Sequence, residues 1–179
     1  MIISERDIRD ENALHIAKGM LAAARTAPKG KGVDLIEAAA ITGEDKQALS
    51  DYMEQLASEY GMFFIRDAGN VRDSQVVVLI GTRTRVQGLN CAHCGFPTCA
   101  EKPEKVPCEI NSVDVGIAIG SAVSYAADAR ADSRVLFSAG LAAQKLGLLG
   151  EDVTQVFAIP LSISSKSPFF DRASTRPSH

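Results

Sequence analysis

Four cysteines lie close together in the middle of the chain, and their side chains are the ones best suited to chemistry. Cys91, Cys94, Cys99 and Cys108 follow the pattern C-x2-C-x4-C-x8-C, and the chain has no other cysteine. Thiolates are the ligands of iron–sulfur clusters and of many zinc ions. Ligands that are close in sequence lose little loop entropy when they converge. The spacing therefore predicts one inorganic centre held by all four sulfurs.

Three kinds of site fit this pattern, and the sequence favours the first. An iron–sulfur cluster of the [4Fe–4S] type uses four thiolates. Structural zinc sites more often have two C-x2-C pairs separated by a longer loop, whereas this chain has one such pair. A metal-free redox pair could use Cys91 and Cys94, but it would leave Cys99 and Cys108 without a role.

The residues between the cysteines suit a cluster loop. Gly95 allows a tight turn that aims backbone amides at sulfur atoms, and Phe96 and Pro97 could shield one side from water. Hydrogen bonds to sulfur, burial and local charge set the reduction potential of such a centre. Lys102 and Lys105 would lie near a negatively charged cluster, although both are equally well explained as polar loop residues.

Length and composition indicate one soluble globular domain. The 179 residues are 46% hydrophobic and 23% charged, which excludes a disordered or low-complexity chain. The net charge of −3 gives no reason to expect binding to nucleic acid or an acidic membrane. The sequence turns charged at Glu5 without an apolar signal segment, and the longest uncharged run, 115–127, is too short for a bilayer. We therefore expect a cytoplasmic protein, in which thiols stay reduced.

Helix and strand signals alternate in the first half of the chain. Ser4 and Asp7 can form a capping box for a first helix, which Pro28 ends. The apolar stretch 33–42 is bounded by glycines and is interpreted as a strand, although its alanines would also suit a helix. A second helix follows over 44–60, with apolar residues at helical spacing.

The second half begins with the clearest strand. Residues 75–81 contain an unbroken β-branched run, which predicts a central strand covered on both faces. The cysteine-rich segment 86–110 follows as an irregular insert within a single domain over 1–179. Three elements come after it: helices over 112–127 and 132–146, and a short strand over 156–159 that Pro160 ends. The tail after Asp171 is polar. Together these elements predict an α+β layered sandwich with helices around a central sheet.

Small residues recur along the helix predicted over 112–127. Gly116, Gly120 and Ser124 are four residues apart, and this spacing lets another helix approach closely. Packing in the protein core is the simplest interpretation.

Charges alternate in sign between the two C-terminal helices, at Asp128, Arg130, Asp132 and Arg134. They fit either a buried polar network or, more simply, a solvated helix junction. No catalytic triad or phosphate-binding loop can be argued from the sequence.

Several segments together resemble the bacterial and archaeal proteins of unknown function labelled ferredoxin domain-containing. The resemblance covers residues 10–172 and rests on the segments Ala23–Pro28, Gly88–Cys91, Cys94–Phe96, Gly116–Val123, Ile159–Ser162 and Phe169–Arg172. It implies a cluster at the four cysteines but no substrate. The run from Cys91 to Cys99 also looks like the four-cysteine domain of corrinoid iron–sulfur proteins, in which a longer gap precedes the last cysteine.

The order of elements is similar to that of flavin-dependent nitroreductases, through the helix that ends in Ala27-Pro28, the small-residue helix and the segment 141–148. This resemblance implies a nitroreductase-like fold, a homodimer, and FMN at the dimer interface. The chain lacks the basic N-terminal segment with which those enzymes grip the flavin phosphate. Arg25, Lys29 and Lys31 could replace it, although a solvated basic turn explains them more simply.

The residues therefore favour an iron–sulfur protein that transfers electrons to or from a redox partner protein through one [4Fe–4S] cluster. Two alternatives stay open: an FMN-dependent, nitroreductase-like oxidoreductase in which the cluster is a relay, and a binding module in which structural zinc folds the cysteine loop. The sequence predicts no catalytic residue.

Overall fold

The structure is a computed structural model that describes residues 1–170, so the predicted polar tail after Asp171 lies outside it. A single 3-10 turn covers Gly30–Gly32. The helices and strands are α1 (Glu5–Thr26), β1 (Ile36–Ile41), α2 (Gly43–Tyr60), α3 (Phe63–Asp73), β2 (Val76–Arg83), α4 (Glu109–Asp128), β3 (Asp132–Ser133), α5 (Phe137–Lys145) and β4 (Val153–Ser162).

The strands form one sheet in the order β1-β2-β4-β3, and every neighbouring pair is antiparallel. Leu79 on β2 lies opposite Ala39 on β1 and opposite Ala158 on β4. The β2 strand thus lies inside the sheet.

Side chains on β2 alternate between two hydrophobic clusters, one on each face of the sheet. Val76, Val78 and Ile80 join the cluster with α1 and α4, whereas Val77 and Leu79 join the cluster with α2, α3 and α5. All five are fully buried. Because successive side chains of a strand point to opposite faces, an unbroken apolar run fits only a strand covered on both sides. The prediction of a central strand is confirmed.

One helical layer consists of α1 and α4. Their facing residues are small, with Ala17 and Ala24 on α1 and Ala118 and Ala122 on α4, so the two helices lie close together. The larger side chain of Met20 fills the space above the sheet and is fully buried.

The other helical layer consists of α2, α3 and α5. Leu49 and Met53 of α2 pack against Phe64 of α3, and all three are fully buried. Burial of one side chain of this size stabilises the fold by roughly 1.5–3 kcal/mol. The predicted α+β sandwich of helices around a central sheet is therefore confirmed.

The first half departs from the sequence-based prediction in three places. Ser4 precedes α1, but there is no capping box, because the N–H of Asp7 bonds the Ser4 carbonyl at 3.1 Å and no side chain caps the helix. The strand predicted over 33–42 is shorter, because a 3-10 turn precedes it. The helix α3 is absent from the prediction, although Phe64 and Ala68 recur at helical spacing and are buried.

The C-terminal elements also differ. The helix predicted over 132–146 is wrong in its first part, because Asp132 pairs with Ser162 as β3 and Leu136 forms a bridge with Ala158. The predicted end of the last strand at Pro160 is also wrong. The backbone N–H and carbonyl of Ala158 both bond to Leu136, on the side of β4 opposite β2. Residues two apart in a strand direct their backbone groups to the same side, so the nitrogen of Pro160 also points away from β2. A proline therefore fits within β4.

The small residues of α4 face outward. Gly116, Gly120 and Ser124 are exposed, and a methyl group added to either glycine would meet no atom within 4 Å. The interpretation of this stripe as core packing is therefore wrong. The core-facing side of α4 carries alanines instead.

Within residues 1–170, α4 is the one helix whose length and mean hydropathy of 1.2 would suffice to cross a membrane. Core helices of soluble proteins pass the same test, and α4 supplies Val115 and Ala118 to the core.

We predict that Gly140→Ala destabilises the fold strongly. A methyl group on Gly140 would overlap the Val156 carbonyl oxygen and the Phe157 Cα, because α5 lies directly on β4 there. Such overpacking against backbone should lower the free energy of unfolding by about 3 kcal/mol. The matched control is Gly69→Ala on α3, which has room for a methyl group and should be neutral or stabilising by up to about 1 kcal/mol. Equal urea-unfolding midpoints for the two variants would contradict this packing.

Candidate metal centre in the cysteine loop

The cysteines occupy one long connection between two core elements. Residues 84–108 join β2 to α4 without forming a helix or strand, and this stretch contains most of the predicted insert. Cys91 is exposed, whereas Cys94, Cys99 and Cys108 are half-buried. All four are free thiols, and none is in a disulfide.

Asn90 connects the start of the cysteine segment to Cys99. Its side-chain oxygen accepts the backbone N–H of Cys99 at 2.9 Å, and its own backbone N–H donates to the Cys99 Sγ at 3.4 Å. A backbone amide that points at sulfur is one of the features that tune an iron–sulfur centre. Residue 90 has a φ of 48°, in the left-handed region that asparagine tolerates better than most residues.

A tight turn links the first two cysteines. The N–H of Gly95 bonds the Ala92 carbonyl at 2.9 Å, and both residues have positive φ, at 88° and 58° respectively. The turn predicted at Gly95 is therefore present.

Cys108 lies at the N-cap position of α4. Its carbonyl accepts the N–H of Ser112 at 3.1 Å, so the helix starts immediately after it. The free N–H groups and the dipole at the start of this 20-residue helix favour negative charge at that position. The fold thus places the backbone of Cys108 at the positive end of the α4 dipole.

The two lysines of the loop have different environments. Lys102 is buried, and its ammonium donates to the carbonyls of Pro103 and Val106, so it folds the segment after Cys99. Lys105 is exposed and lines a cavity of about 590 Å³ that also borders Cys108 and Gln155.

The structure does not bring all four sulfurs into one ligand set. Within residues 1–170, no three side chains of histidine, cysteine, aspartate or glutamate are arranged to hold a metal ion. The ligand set Cys91, Cys94, Cys99 and Cys108 therefore stays a prediction. The donor chemistry nevertheless fits a [4Fe–4S] cluster: four cysteines and a backbone amide on sulfur share one loop, which ends at a helix N-terminus. Because this loop contains no helix or strand, its sulfurs can converge without breaking a backbone ladder.

A buried polar network beneath the loop is absent from the sequence-based prediction. Gln87 precedes the cysteines, and Asn111 and Asp114 lie in the first turns of α4; the three are 5%, 1% and 4% exposed. Burial raises the pKa of Asp114, while the Gly30 N–H and the Lys29 charge oppose that rise. The available signal in the sequence was a pair of polar residues three positions apart, Asn111 and Asp114, at the start of a helix rich in apolar residues.

Each of the three cations of the basic turn has a protein partner. Arg25 pairs with Asp34 at 2.7 Å, and Lys31 donates to the Gln87 carbonyl at 3.3 Å. The Lys29 side chain is only 6% exposed and donates to the carbonyls of Ala24 and Arg25, and burial lowers its pKa. The interpretation as a solvated turn is therefore wrong for Lys29. These cations hold the end of α1 in place, and none of them is left without a protein partner.

The alternating charges near the C-terminus form no network of their own. Among the ion pairs within residues 1–170, none includes Asp128, Arg130, Asp132 or Arg134. Arg134 instead donates to the Phe169 carbonyl at 3.1 Å, and its guanidinium lies 5.1 Å from the centre of the Phe170 ring.

Comparison with known families gives two matches. Residues 104–172 match the family model described as an uncharacterized protein containing a ferredoxin domain, a region that includes Cys108 but not the other three cysteines. An uncharacterized protein of Archaeoglobus fulgidus is 42% identical over 183 residues, which cover 97% of this chain and 98% of that protein.

Solved structures identify the fold. A putative nitroreductase from Bacillus subtilis superposes with a TM-score of 0.60 at 11% identity, over 91% of this chain and 84% of that one. An FMN-dependent nitroreductase from Clostridium difficile gives 0.55 at 14% identity, over 85% and 76% of the two chains. A nitroreductase family protein from Clostridium novyi gives 0.57 at 12% identity, over 83% and 73%. The expected nitroreductase-like fold is confirmed, and at these identities the likeness extends to the fold alone.

We predict that Asn90→Gly loosens the loop at Cys99. Glycine tolerates the positive φ but removes the side-chain acceptor of the Cys99 N–H, so the loop loses this hydrogen bond. Loss of about 1 kcal/mol should speed exchange of the Cys99 amide roughly fivefold in hydrogen-exchange mass spectrometry. Asn12→Gly, at an exposed position of α1, is the control and should leave that amide unchanged. Unaltered exchange at Cys99 in Asn90→Gly would show that the bond does not order the loop.

Proposed function

The chain belongs to the family of uncharacterized proteins that contain a ferredoxin domain, and from that premise we propose that it is an iron–sulfur electron-transfer protein. In this proposal Cys91, Cys94, Cys99 and Cys108 hold one [4Fe–4S] cluster. The observation that carries it is the presence of four cysteines, none in a disulfide, on a single loop that runs from β2 to α4.

The residues around the thiols would stabilise a negatively charged centre. The N–H of Asn90 lies on the Cys99 sulfur, and the start of α4 places its free N–H groups next to Cys108. When bound, the cluster supplies a site that accepts or donates one electron at a time. Cys91 is the exposed member of the set, so electrons would enter or leave on its side, where a redox partner protein can approach.

Zinc and FMN are the competing cofactors. Four thiols also suit structural zinc, in which case the loop would be a binding module without redox activity. The likeness to FMN-dependent nitroreductases is the reason to consider FMN. Arg25, Lys29 and Lys31, the cations that could hold its phosphate, each have a protein partner, so we assign no step to FMN. We also propose a cytoplasmic location, because thiols that are to bind a metal centre must stay reduced, as they do in the cytosol.

We further propose that the protein is a homodimer built on the outer face of α4. Val113, Gly116, Ile117 and Gly120 are exposed there, and no charged residue lies between Val113 and Ala127 except the buried Asp114. The open space at both glycines allows a helix backbone to approach. We assign a second copy of this chain to the outer face of α4, because a two-fold axis would place the same uncharged stripe on both sides of the interface.

We predict that protein purified without oxygen, or reconstituted with iron and sulfide, contains about four iron and four sulfide per chain and gives an EPR signal after reduction. Each single Cys→Ser variant should lose most of that iron because a ligand is removed. His93→Ala is the control, since His93 is exposed and is not one of the four proposed ligands, and it should retain full loading. One zinc and no iron per chain after reconstitution would refute the cluster.

We predict that Gly120→Leu weakens dimer formation. The larger side chain would keep the two copies of α4 apart, raising the dissociation constant about tenfold or more in sedimentation equilibrium. Ala48→Leu, on the exposed face of α2, is the control and should dimerise like the unaltered protein. A protein that is monomeric throughout, or equal dimerisation of the two variants, would rule out this interface.

A further inference from the structure

We propose that Gln87, Asn111 and Asp114 form a polar clamp that closes the base of the cysteine loop and positions Cys108 relative to the other three cysteines. The inference rests on the proposed function, because it assigns positioning residues to the proposed cluster site. None of the three would touch the cluster. They would act through the backbone that carries its ligands.

The clamp joins the two ends of the loop directly. Gln87 lies four residues before Cys91, and Asn111 lies three residues after Cys108. The Gln87 Nε2 donates to the Asn111 Oδ1 at 3.0 Å. This one bond spans the whole cysteine segment, so it fixes the separation between the point where the chain enters the loop and the point where it leaves.

The side-chain amide nitrogen of Asn111 bonds the backbone at the end of β2. Its Nδ2 donates to the carbonyl of Arg85 and, at 3.4 Å, to that of Arg83. The first turn of α4, which begins immediately after Cys108, is therefore tied to the backbone that leaves the central strand. A shift of α4 along its axis would break these bonds together with the bond to Gln87.

Asp114 adds a third segment to the clamp. Its two carboxylate oxygens accept the N–H of Gly30 at 3.0 and 3.1 Å, and Lys31 donates to the Gln87 carbonyl at 3.3 Å. A side chain at position 30 would collide with Ile110, so glycine permits this approach. The 3-10 turn after α1 therefore packs against the same base and limits movement of Gln87.

Burial makes these bonds specific. All three side chains are at most 5% exposed, and buried polar groups cost free energy when they lose their partners. Apolar side chains could fill the same space, but they would let α4 slide along the end of β2. The paired donors and acceptors are satisfied in only one position of α4. Within residues 1–170, Gln87 Oε1 is the one buried side-chain atom of the clamp without a partner, so Gln87 is held through Nε2.

A fixed base lowers the cost of gathering the thiols. With both loop ends held before metal binds, less chain entropy is lost when the four sulfurs converge. Outer-shell partners of metal ligands typically affect metal affinity 10- to 100-fold. The clamp should therefore act on how firmly the cluster is held more than on the stability of the whole fold.

The test compares Asn111→Leu with Ser138→Ala. Ser138 donates to Asp67 at 2.7 Å in the other helical layer, so its variant loses a buried hydrogen bond remote from the loop. We expect reconstituted Asn111→Leu to lose iron to a chelator about 10- to 100-fold faster than the unaltered protein and to show a changed EPR line shape. Ser138→Ala should also lower the melting temperature, through loss of a buried hydrogen bond, but release iron at the normal rate. Asp114→Asn, which keeps one acceptor for Gly30, should be intermediate. Equal iron release from Asn111→Leu and Ser138→Ala would overturn the clamp.

A second measurement separates this inference from the cluster itself. Hydrogen exchange of the metal-free protein should be faster across residues 88–107 in Asn111→Leu and unchanged there in Ser138→Ala. If the unaltered protein takes up no iron, the proposed function fails, while faster loop exchange in Asn111→Leu still supports the clamp. Unchanged exchange in that loop overturns it, whatever the iron content.

Discussion

Four thiolates can share one inorganic centre only if the chain closes a long loop, and that closure is the constraint on which the structure depends. The connection from residue 84 to residue 108 has no helix or strand to hold its shape. What holds it lies at its two ends: the central strand β2 and the core helix α4, which packs on one face of the sheet. The sheet and the helices packed on it keep these two ends of the loop in place.

The helix α4 combines three roles along different parts of its surface. Its inner face carries small residues that allow close packing with α1, and its first turn carries the polar side chains that hold the loop. Between Val113 and Ala127 the helix has one charged residue, Asp114, and that residue is buried. The outer face of this stretch is therefore uncharged. A helix this apolar is favourable in water only where its faces are covered, which is the reason to expect a second copy on the outer face.

Local signals in the sequence were enough for much of the fold. The cysteine spacing, the β-branched run of β2 and the apolar spacing of α2 are all short-range patterns, and each corresponds to an element or loop of the structure. The order of elements was also sufficient to indicate the nitroreductase-like fold. Three features could not be obtained in this way, because they depend on contacts distant in sequence.

Gln87 meets Asn111 across 24 residues, and nothing in either residue's neighbours marks it as a partner. The outward orientation of Gly120 depends on which face of α4 meets α1, and the spacing of small residues is the same for both orientations. The place of Pro160 within β4 depends on the side to which its nitrogen points, which the pairing partners determine. The turn at Asn90, by contrast, had a local signal, since asparagine tolerates the left-handed region that the chain adopts there.

The most direct test of the account is a crystal structure of the protein prepared and crystallised without oxygen. The account predicts one four-iron cluster with the Sγ atoms of Cys91, Cys94, Cys99 and Cys108 each bonded to a different iron. An ordered loop in which one of these sulfurs lies away from the other three, or in which a single zinc ion occupies their centre, would contradict it.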